Sequence, residues 1–205
     1  MQQFVTVSAI IALAGAASGQ VFTSQAAFDA ALATSFSEDF SGNTFGGSED
    51  FWSGNGFSMT ASAVDGVDGG GGSLTLFNDV GILSTNSAVD AIQLDFTGPV
   101  QAFGGTIFAS DINFAAQPGF QLIFTFSDGT SETVTTAGAT DFFGYANAAG
   151  ITSVTIDAPD LVDPFFGNTP NWTALSSATV GTLVPAPGAM AVLGLGGLAA
   201  ARRRR

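Results

Sequence analysis

The sequence has no cysteine and no histidine, and its only four basic residues are the arginines that end the chain, Arg202, Arg203, Arg204 and Arg205. Without cysteine there are no disulfides, so a folded domain must be stabilised by its core alone. The missing residue types also exclude Ser-His-Asp and Cys-His catalysis, lysine Schiff bases and histidine metal sites. Because nothing ahead of the terminal arginines neutralises phosphate, we expect no nucleic-acid binding.

Acidic residues are plentiful by comparison. The chain has 17 of them and a net charge of −13. All 17 lie between residues 20 and 184, so with the arginines set aside this region carries a charge of −17. No carboxylate there can form an ordinary side-chain salt bridge. Each acid must therefore stay hydrated, accept hydrogen bonds from backbone or hydroxyl groups, or hold a metal ion.

The last part of the chain joins three unlike segments: Val184 to Pro187, an apolar run over residues 188–201, and the four arginines. Even counted back to Thr182, the apolar run barely reaches the ~20 residues that span a bilayer as a helix. Arginines behind such a helix stay on the cytoplasmic side, which places the rest of the chain outside. The prolines ahead of it force extended backbone, the form in which proteases take their substrates. The pattern is typical of a removable C-terminal anchor.

Val184, Pro185, Ala186 and Pro187, followed by this apolar run and the arginine cluster, resemble the PEP-CTERM protein-sorting domain. The resemblance implies that an exosortase-type membrane transpeptidase removes the tail and sends the protein to the bacterial cell surface or exopolysaccharide matrix. Before processing, the segment would hold the protein in the membrane. Ala186 stands where the usual motif has glutamate. A retained single-pass anchor is the alternative interpretation.

Residues 1–19 are interpreted as a secretory signal peptide. An apolar stretch from Phe4 to Ala14 precedes small residues, with Ala17 and Gly19 at the minus-three and minus-one positions. Gln20 would be the first mature residue. The sequence thus predicts a signal helix over 1–19, an acidic domain over 20–183 and a sorting segment over 184–205.

The acidic domain is predicted to be an all-β antiparallel sandwich, jelly-roll-like, with a short N-terminal helix. The helix is expected over residues 23–33, where Phe28 and Leu32 form an i, i+4 apolar pair. About eight to ten short strands should follow, because short apolar runs alternate with Gly, Asn, Asp, Ser and Pro. The expected strands are 36–40, 56–61, 73–77, 92–96, 102–109, 120–126, 131–136, 154–156 and 172–181.

Twenty phenylalanines would fill the space between the two sheets. The Asp128-Gly129 pair between two strand-like runs indicates a hairpin turn. The alanine- and glycine-rich stretch over 136–150 is expected to join two strands. Residues 65–69 are rich in oxygen ligands but do not complete a calcium loop, so we interpret them as a solvated turn.

Calcium is the metal ion that this composition favours, since it binds carboxylate and carbonyl oxygens. Residues 36–40, following a short helix, resemble the first strand of surface jelly rolls that precede such sorting tails. The resemblance implies that an acid here meets an Asp-Asn pair of the last strand at a calcium site. Glu38 and Asp39 are therefore candidate calcium ligands. Ser176 and Ser177 stand where the Asp-Asn pair would be.

The residues are also compatible with a glycoside hydrolase site. Glycoside hydrolysis requires only two carboxylates, about 5 to 9.5 Å apart. Glu38 with Asp39, or Glu49 with Asp50, could be nominated, although adjacent residues of a strand point to opposite faces.

Trp52, Trp172 and Tyr145 could form a platform for sugar stacking, although single aromatics in strands belong more often to the core.

The sequence predicts a secreted, non-enzymatic protein of the cell surface or exopolysaccharide matrix, with a structural or interaction role. The alternatives are a calcium- or carbohydrate-binding module of that matrix and a small carboxylate-dependent glycosidase.

Overall fold

The computed structural model describes residues 19–42, 46–69, 72–79, 81–163 and 167–185. The described residues leave out residues 1–18 of the predicted signal peptide, Ala186 and Pro187 of the predicted sorting motif, the apolar run and the four arginines. The described elements are, in chain order, β1 (Gln20–Phe22), α1 (Gln25–Ala31), β2 (Leu32–Glu38), β3 (Glu49–Gly54), β4 (Phe57–Asp65), β5 (Leu76–Asp79), β6 (Ile82–Thr85), β7 (Asp90–Thr97), β8 (Ala102–Ser110), β9 (Gln121–Phe126), β10 (Ser131–Thr135), β11 (Phe142–Ala146), β12 (Ser153–Asp157), β13 (Leu161–Asp163), β14 (Gly167–Thr169), β15 (Trp172–Leu175) and β16 (Ala178–Leu183).

The strands form two antiparallel sheets and a small ribbon. Sheet A has eight strands, in the order β1-β11-β8-β15-β6-β5, with β16 pairing β8 further along and β2 pairing β16. Sheet B has six strands, in the order β10-β9-β12-β7-β4-β3. Strands β13 and β14 pair with each other. The predicted all-β antiparallel architecture is confirmed.

The core lies between the sheets and is filled largely by aromatic rings, as the phenylalanine content predicts. Strand β4 shows how alternation builds it, because Phe57, Met59 and Ala61 are buried while the residues between them are not. Rings from the two sheets meet directly: the centroids of Phe124 on β9 and Phe143 on β11 lie 4.0 Å apart. Burial of such rings is the main stabilising contribution in a domain without disulfides.

Helix α1 covers one end of the outer face of sheet A. Its Phe28 is fully buried and contacts the ring of Phe142, with 5.4 Å between the centroids. Gly104 and Gly144 lie opposite each other in β8 and β11 beneath this ring. A Cβ on Gly144 would lie 2.8 Å from the Phe28 ring, and one on Gly104 would lie 3.0 Å from it. The glycine pair therefore makes the space into which the helix packs.

Two expectations from the sequence are wrong. Residues 136–150 do not merely join two strands, since β11 lies within them and pairs with both β1 and β8. This strand buries both faces, with Phe143 and Tyr145 toward sheet B and Phe142 under the helix, so it lacks the alternation that marks a strand.

The second wrong expectation is the continuous strand over 172–181. It is interrupted between β15 and β16 at Ser176 and Ser177, which both bond to the backbone of Thr106. The described chain also has sixteen strands, more than expected, because short strands such as β1 and β6 carry little periodic signal. None of its helices has the length and hydrophobicity needed to cross a membrane.

Candidate functional site

The start of the predicted sorting motif lies directly at the edge of the sandwich. Strand β16 ends at Leu183, and the backbone N–H of Val184 donates to the carbonyl of Ala31 at 2.9 Å. The side chain of Val184 is 53% exposed, and Pro185 is exposed as well. The folded domain therefore ends where the motif begins, with no linker between them.

The candidate calcium ligands Glu38 and Asp39 lie at the end of β2, next to the last strand. Strand β2 pairs with β16, the last strand of the described chain, and Glu38 lies opposite Ala178. Glu38 and Asp39 line an open cavity of about 330 Å³ together with Ser177 and Thr179.

The carboxylates at this cavity already have partners. Glu38 Oε1 accepts the N–H of Phe40 at 2.9 Å, and Asp39 Oδ1 accepts the hydroxyl of Ser41 at 2.7 Å and its N–H at 3.0 Å. The Ser41 hydroxyl and then its N–H lower the pKa of Asp39. Among the described residues, no group of three or more acids is placed to hold a metal ion. The assignment of Glu38 and Asp39 as calcium ligands therefore stays a prediction.

Another carboxylate, that of Asp128, connects the two sheets through its hydrogen bonds. It lies in the predicted Asp-Gly turn between β9 and β10, and its Oδ2 accepts hydrogen bonds from the hydroxyl of Tyr145 at 2.6 Å and from Asn147 Nδ2 at 2.6 Å. Its Oδ1 accepts the N–H of Thr130 at 2.8 Å. Burial raises the pKa of Asp128, but the bonds from Tyr145, Asn147 and Thr130 outweigh it and lower the pKa to about 2. This carboxylate is a structural anion and not a proton donor.

Buried carboxylates also hold the loop that follows β4. Asp157 Oδ2 accepts the N–H of Val67 at 2.7 Å, and Asp90 Oδ2 accepts the N–H of Leu74 at 2.9 Å. Burial raises the pKa of Asp157, and the nearby charges of Asp68 and Asp160 raise it further. The turn over 65–69 is thus tied to sheet B. Sequence reasoning missed Asp90 and Asp157, because their partners are backbone groups that only the fold brings close.

The other nominated acid pair lies on an edge strand. Glu49 and Asp50 are the first two residues of β3, and their register partners on β4 are Ser62 and Ala61. Glu49 is exposed and Asp50 is half-buried, as expected of neighbours on opposite faces. Burial raises the pKa of Asp50.

The three aromatic residues proposed as a sugar platform do not come together. Trp52 packs against Phe40 in the core, with 5.2 Å between the ring centroids, and Tyr145 is buried in the same core. Trp172 is half-buried and lies elsewhere. The core interpretation is therefore the right one for Trp52 and Tyr145.

Trp172 instead lines a small cleft on sheet A, which we call the aromatic cleft. Its volume is about 120 Å³, and it is lined by Phe77, Thr85, Asn86, Asp111, Ile112, Phe114 and Trp172. These residues come from β5, β6, the β6–β7 connection, the loop after β8 and β15. The sequence alone could not group them, since they lie far apart along the chain.

Comparison with known proteins adds no assignment to this geometry: no protein-family model matches the sequence, and no curated protein or solved structure is significantly similar to the chain.

Proposed function

We propose that this protein is exported to the bacterial cell surface or exopolysaccharide matrix, where it has a non-enzymatic structural or interaction role. One observation carries the proposal: β16 ends at Leu183 and is followed at once by the exposed Val184 and Pro185. A processing enzyme needs its target extended and accessible, and these residues stand outside the folded core. The following apolar run and arginines of the sequence supply the transient membrane anchor.

The composition of the domain supports the same proposal. A region with charge −17 and no basic side chain repels nucleic acid and other polyanions. It also lacks the histidine, cysteine and lysine that most catalytic sites use. This composition is compatible with contact to neutral polymers, to cations or to other proteins.

The strand pairings support a jelly-roll topology for the sandwich. Strands β2, β16, β8 and β11 are successive neighbours in sheet A, and β7, β12, β9 and β10 are successive neighbours in sheet B. Numbered from one to eight along the chain, these strands give the orders 1-8-3-6 and 2-7-4-5. Two interlocked Greek keys produce this alternation between sheets. The β3–β4 and β5–β6 hairpins then lie between the first and second of these strands.

The test is the intact mass and the C-terminal peptide of the protein recovered from its host. We expect a chain that begins near Gln20 and ends near Pro187, recovered from the cell surface or the matrix. A matched variant in which Pro185 and Pro187 are replaced by Ala should keep its tail, because the extended segment is lost. A wild-type chain that still ends in Arg205 would contradict the proposal and indicate a retained anchor.

A further inference from the structure

We propose that the aromatic cleft binds one ring of a neutral polysaccharide. This goes beyond sorting and names a partner. The inference rests on the proposed function only for the location at which the protein meets the polysaccharide, since binding itself requires only the folded sandwich.

The cleft faces solvent on the outer side of sheet A. The hydroxyl of Thr173 donates to the carbonyl of Ile156 on sheet B at 3.2 Å, so Thr173 points between the sheets. Its neighbour Trp172 must then point outward. The same alternation applies on β5, where Leu76 belongs to the core and Phe77 faces out. Two aromatic side chains from non-adjacent strands therefore share the outer face.

The loop that closes the cleft is held in one conformation. Asp111 Oδ1 accepts the N–H groups of Asn113 and Ala115 at 2.8 and 3.0 Å, and the N–H of Phe114 donates to the carbonyl of Asp111 at 3.0 Å. Phe114 has a φ of 60°, a strained conformation for a residue other than glycine. Its ring stacks on Phe77, with 5.1 Å between the centroids and 20° between the planes. A binding surface fixed in this way loses little conformational entropy when a ligand arrives.

One apolar residue of the cleft is largely exposed to solvent. Ile112 is 73% exposed, although it lies beside the half-buried Trp172 and Phe114. At the other end of the outer face of sheet A, Phe28 of helix α1 covers the apolar surface of the strands beneath it. Apolar surface that a rigid loop holds in solvent, with polar groups at its border, is typical of a binding site. Here the border is formed by Asn86 and Asp111.

The chemistry of the cleft selects a sugar ring. A pyranose has apolar C–H faces, which pack on aromatic rings, and hydroxyls at its edge, which bond to amides and carboxylates. Asp111 and the surrounding charge of −17 disfavour an acidic polymer, so the ring must be neutral. The volume of about 120 Å³ is well below the ~300–1,000 Å³ of pockets that enclose a whole ligand. The cleft therefore holds one ring while the rest of the polymer stays in solvent.

The experiment titrates the full chain, kept in solution with a mild detergent, with cellohexaose, laminarihexaose and isomaltohexaose as neutral probes and with polygalacturonate as an anionic probe. Binding is followed by calorimetry and by tryptophan fluorescence, because Trp172 lies in the cleft while Trp52 is buried. We expect at least one neutral probe to bind and to shift the emission. Ile112→Ser, a change at an exposed residue that should leave the fold intact, should weaken this binding about tenfold, as should Trp172→Ala.

The matched control is Phe51→Ala on β3, since Phe51 is 63% exposed on the other sheet. It removes a comparable apolar side chain and should leave binding unchanged. The proposal is overturned if no neutral probe binds at millimolar concentration, if Ile112→Ser binds like wild type, or if only polygalacturonate binds. These outcomes are independent of tail processing, so a failed titration with a correctly processed tail would leave the proposed function standing.

Discussion

Replacing Tyr145 by Phe should weaken the connection between the two sheets in a pH-dependent way. The Tyr145 ring lies in the core on β11 of sheet A and stacks on Phe126 of sheet B, with 4.1 Å between the centroids. Its hydroxyl reaches the β9–β10 turn of sheet B, where it bonds to Asp128 at 2.6 Å and to Thr130 Oγ1 at 3.0 Å. Phe at this position keeps the stacking and removes only these two bonds.

The magnitude follows from the pKa of Asp128. The shift from 3.8 to about 2 sets an upper limit of roughly 2.5 kcal/mol on what the charged form contributes to stability. Asp128 is an exposed residue, so solvent screening reduces this to about 1 kcal/mol. The hydroxyl of Tyr145 is one of several donors to the carboxylate. We therefore expect Tyr145→Phe to lower the free energy of unfolding by about 1 kcal/mol at pH 7, the hydrogen bond to Thr130 included.

The sign of the pH dependence is fixed by the lowered pKa. Because the folded protein holds Asp128 ionised more strongly than the unfolded chain does, the contribution is present above pH 3.8 and is lost as the pH falls toward 2. The assay is denaturant unfolding of wild type and Tyr145→Phe, in mild detergent, at pH 7 and again below pH 3. The difference between the two proteins should shrink at the lower pH.

A double-mutant cycle with Asp128→Asn separates this coupling from changes in packing. Tyr145→Phe should cost clearly less in the Asp128→Asn background. The reasoning is refuted if the deficit is the same at both pH values and in both backgrounds, or if the Asp128 carboxyl carbon of wild type titrates near 3.8 by NMR.

Three further predictions concern other parts of the domain. Gly144→Ala should destabilise it by about 1–3 kcal/mol, because the new Cβ would lie 2.8 Å from the ring of the α1 phenylalanine, whereas Gly138→Ala, with open space around it, should not lower the melting temperature comparably. Asp157 has a raised pKa, so wild type should gain stability as the pH falls toward the ordinary aspartate value of 3.8, and Asp157→Asn should flatten this part of the profile; an unchanged profile would contradict the assignment. Calcium should raise the melting temperature of wild type but not of the double variant Glu38→Gln, Asp39→Asn, and no shift at millimolar calcium would count against the predicted ligands.

Local patterns in the sequence were sufficient for much of the sandwich. The Asp128-Gly129 turn forms as predicted, with Gly129 at a φ of 86°, and it connects β9 to β10. Strand β9 buries Leu122, Phe124 and Phe126 on one face, as their spacing requires. In each case the decisive information lies within a few neighbouring residues, which is why the sequence alone could predict it.

Features that depend on distant contacts could not be predicted in this way. Strand β11 contains Gly144 because the helix packs on it, and nothing in its own sequence indicates a helix on that face. The aromatic cleft joins Phe77, Phe114 and Trp172, which the order of strands in sheet A brings together. Sequence reasoning nominated Trp172 for a sugar platform together with Trp52 and Tyr145, which belong to the core. Alternation within one strand does not show which residues of other strands lie beside it.

The lack of basic side chains explains where the carboxylates of this domain lie. Asp39, Asp111 and Asp128 each accept the N–H of the second residue after them, so the acids close turns instead of forming ion pairs. Stability then depends on backbone donors, which every residue but proline supplies, and the surface of the domain carries much of a charge of −17 that no basic side chain of this region balances. Such a surface repels copies of itself and other polyanions. A protein dispersed in a neutral polymer can keep this charge, and the aromatic cleft, which combines apolar rings with the carboxylate of Asp111, is the part of its surface that we propose holds the polymer.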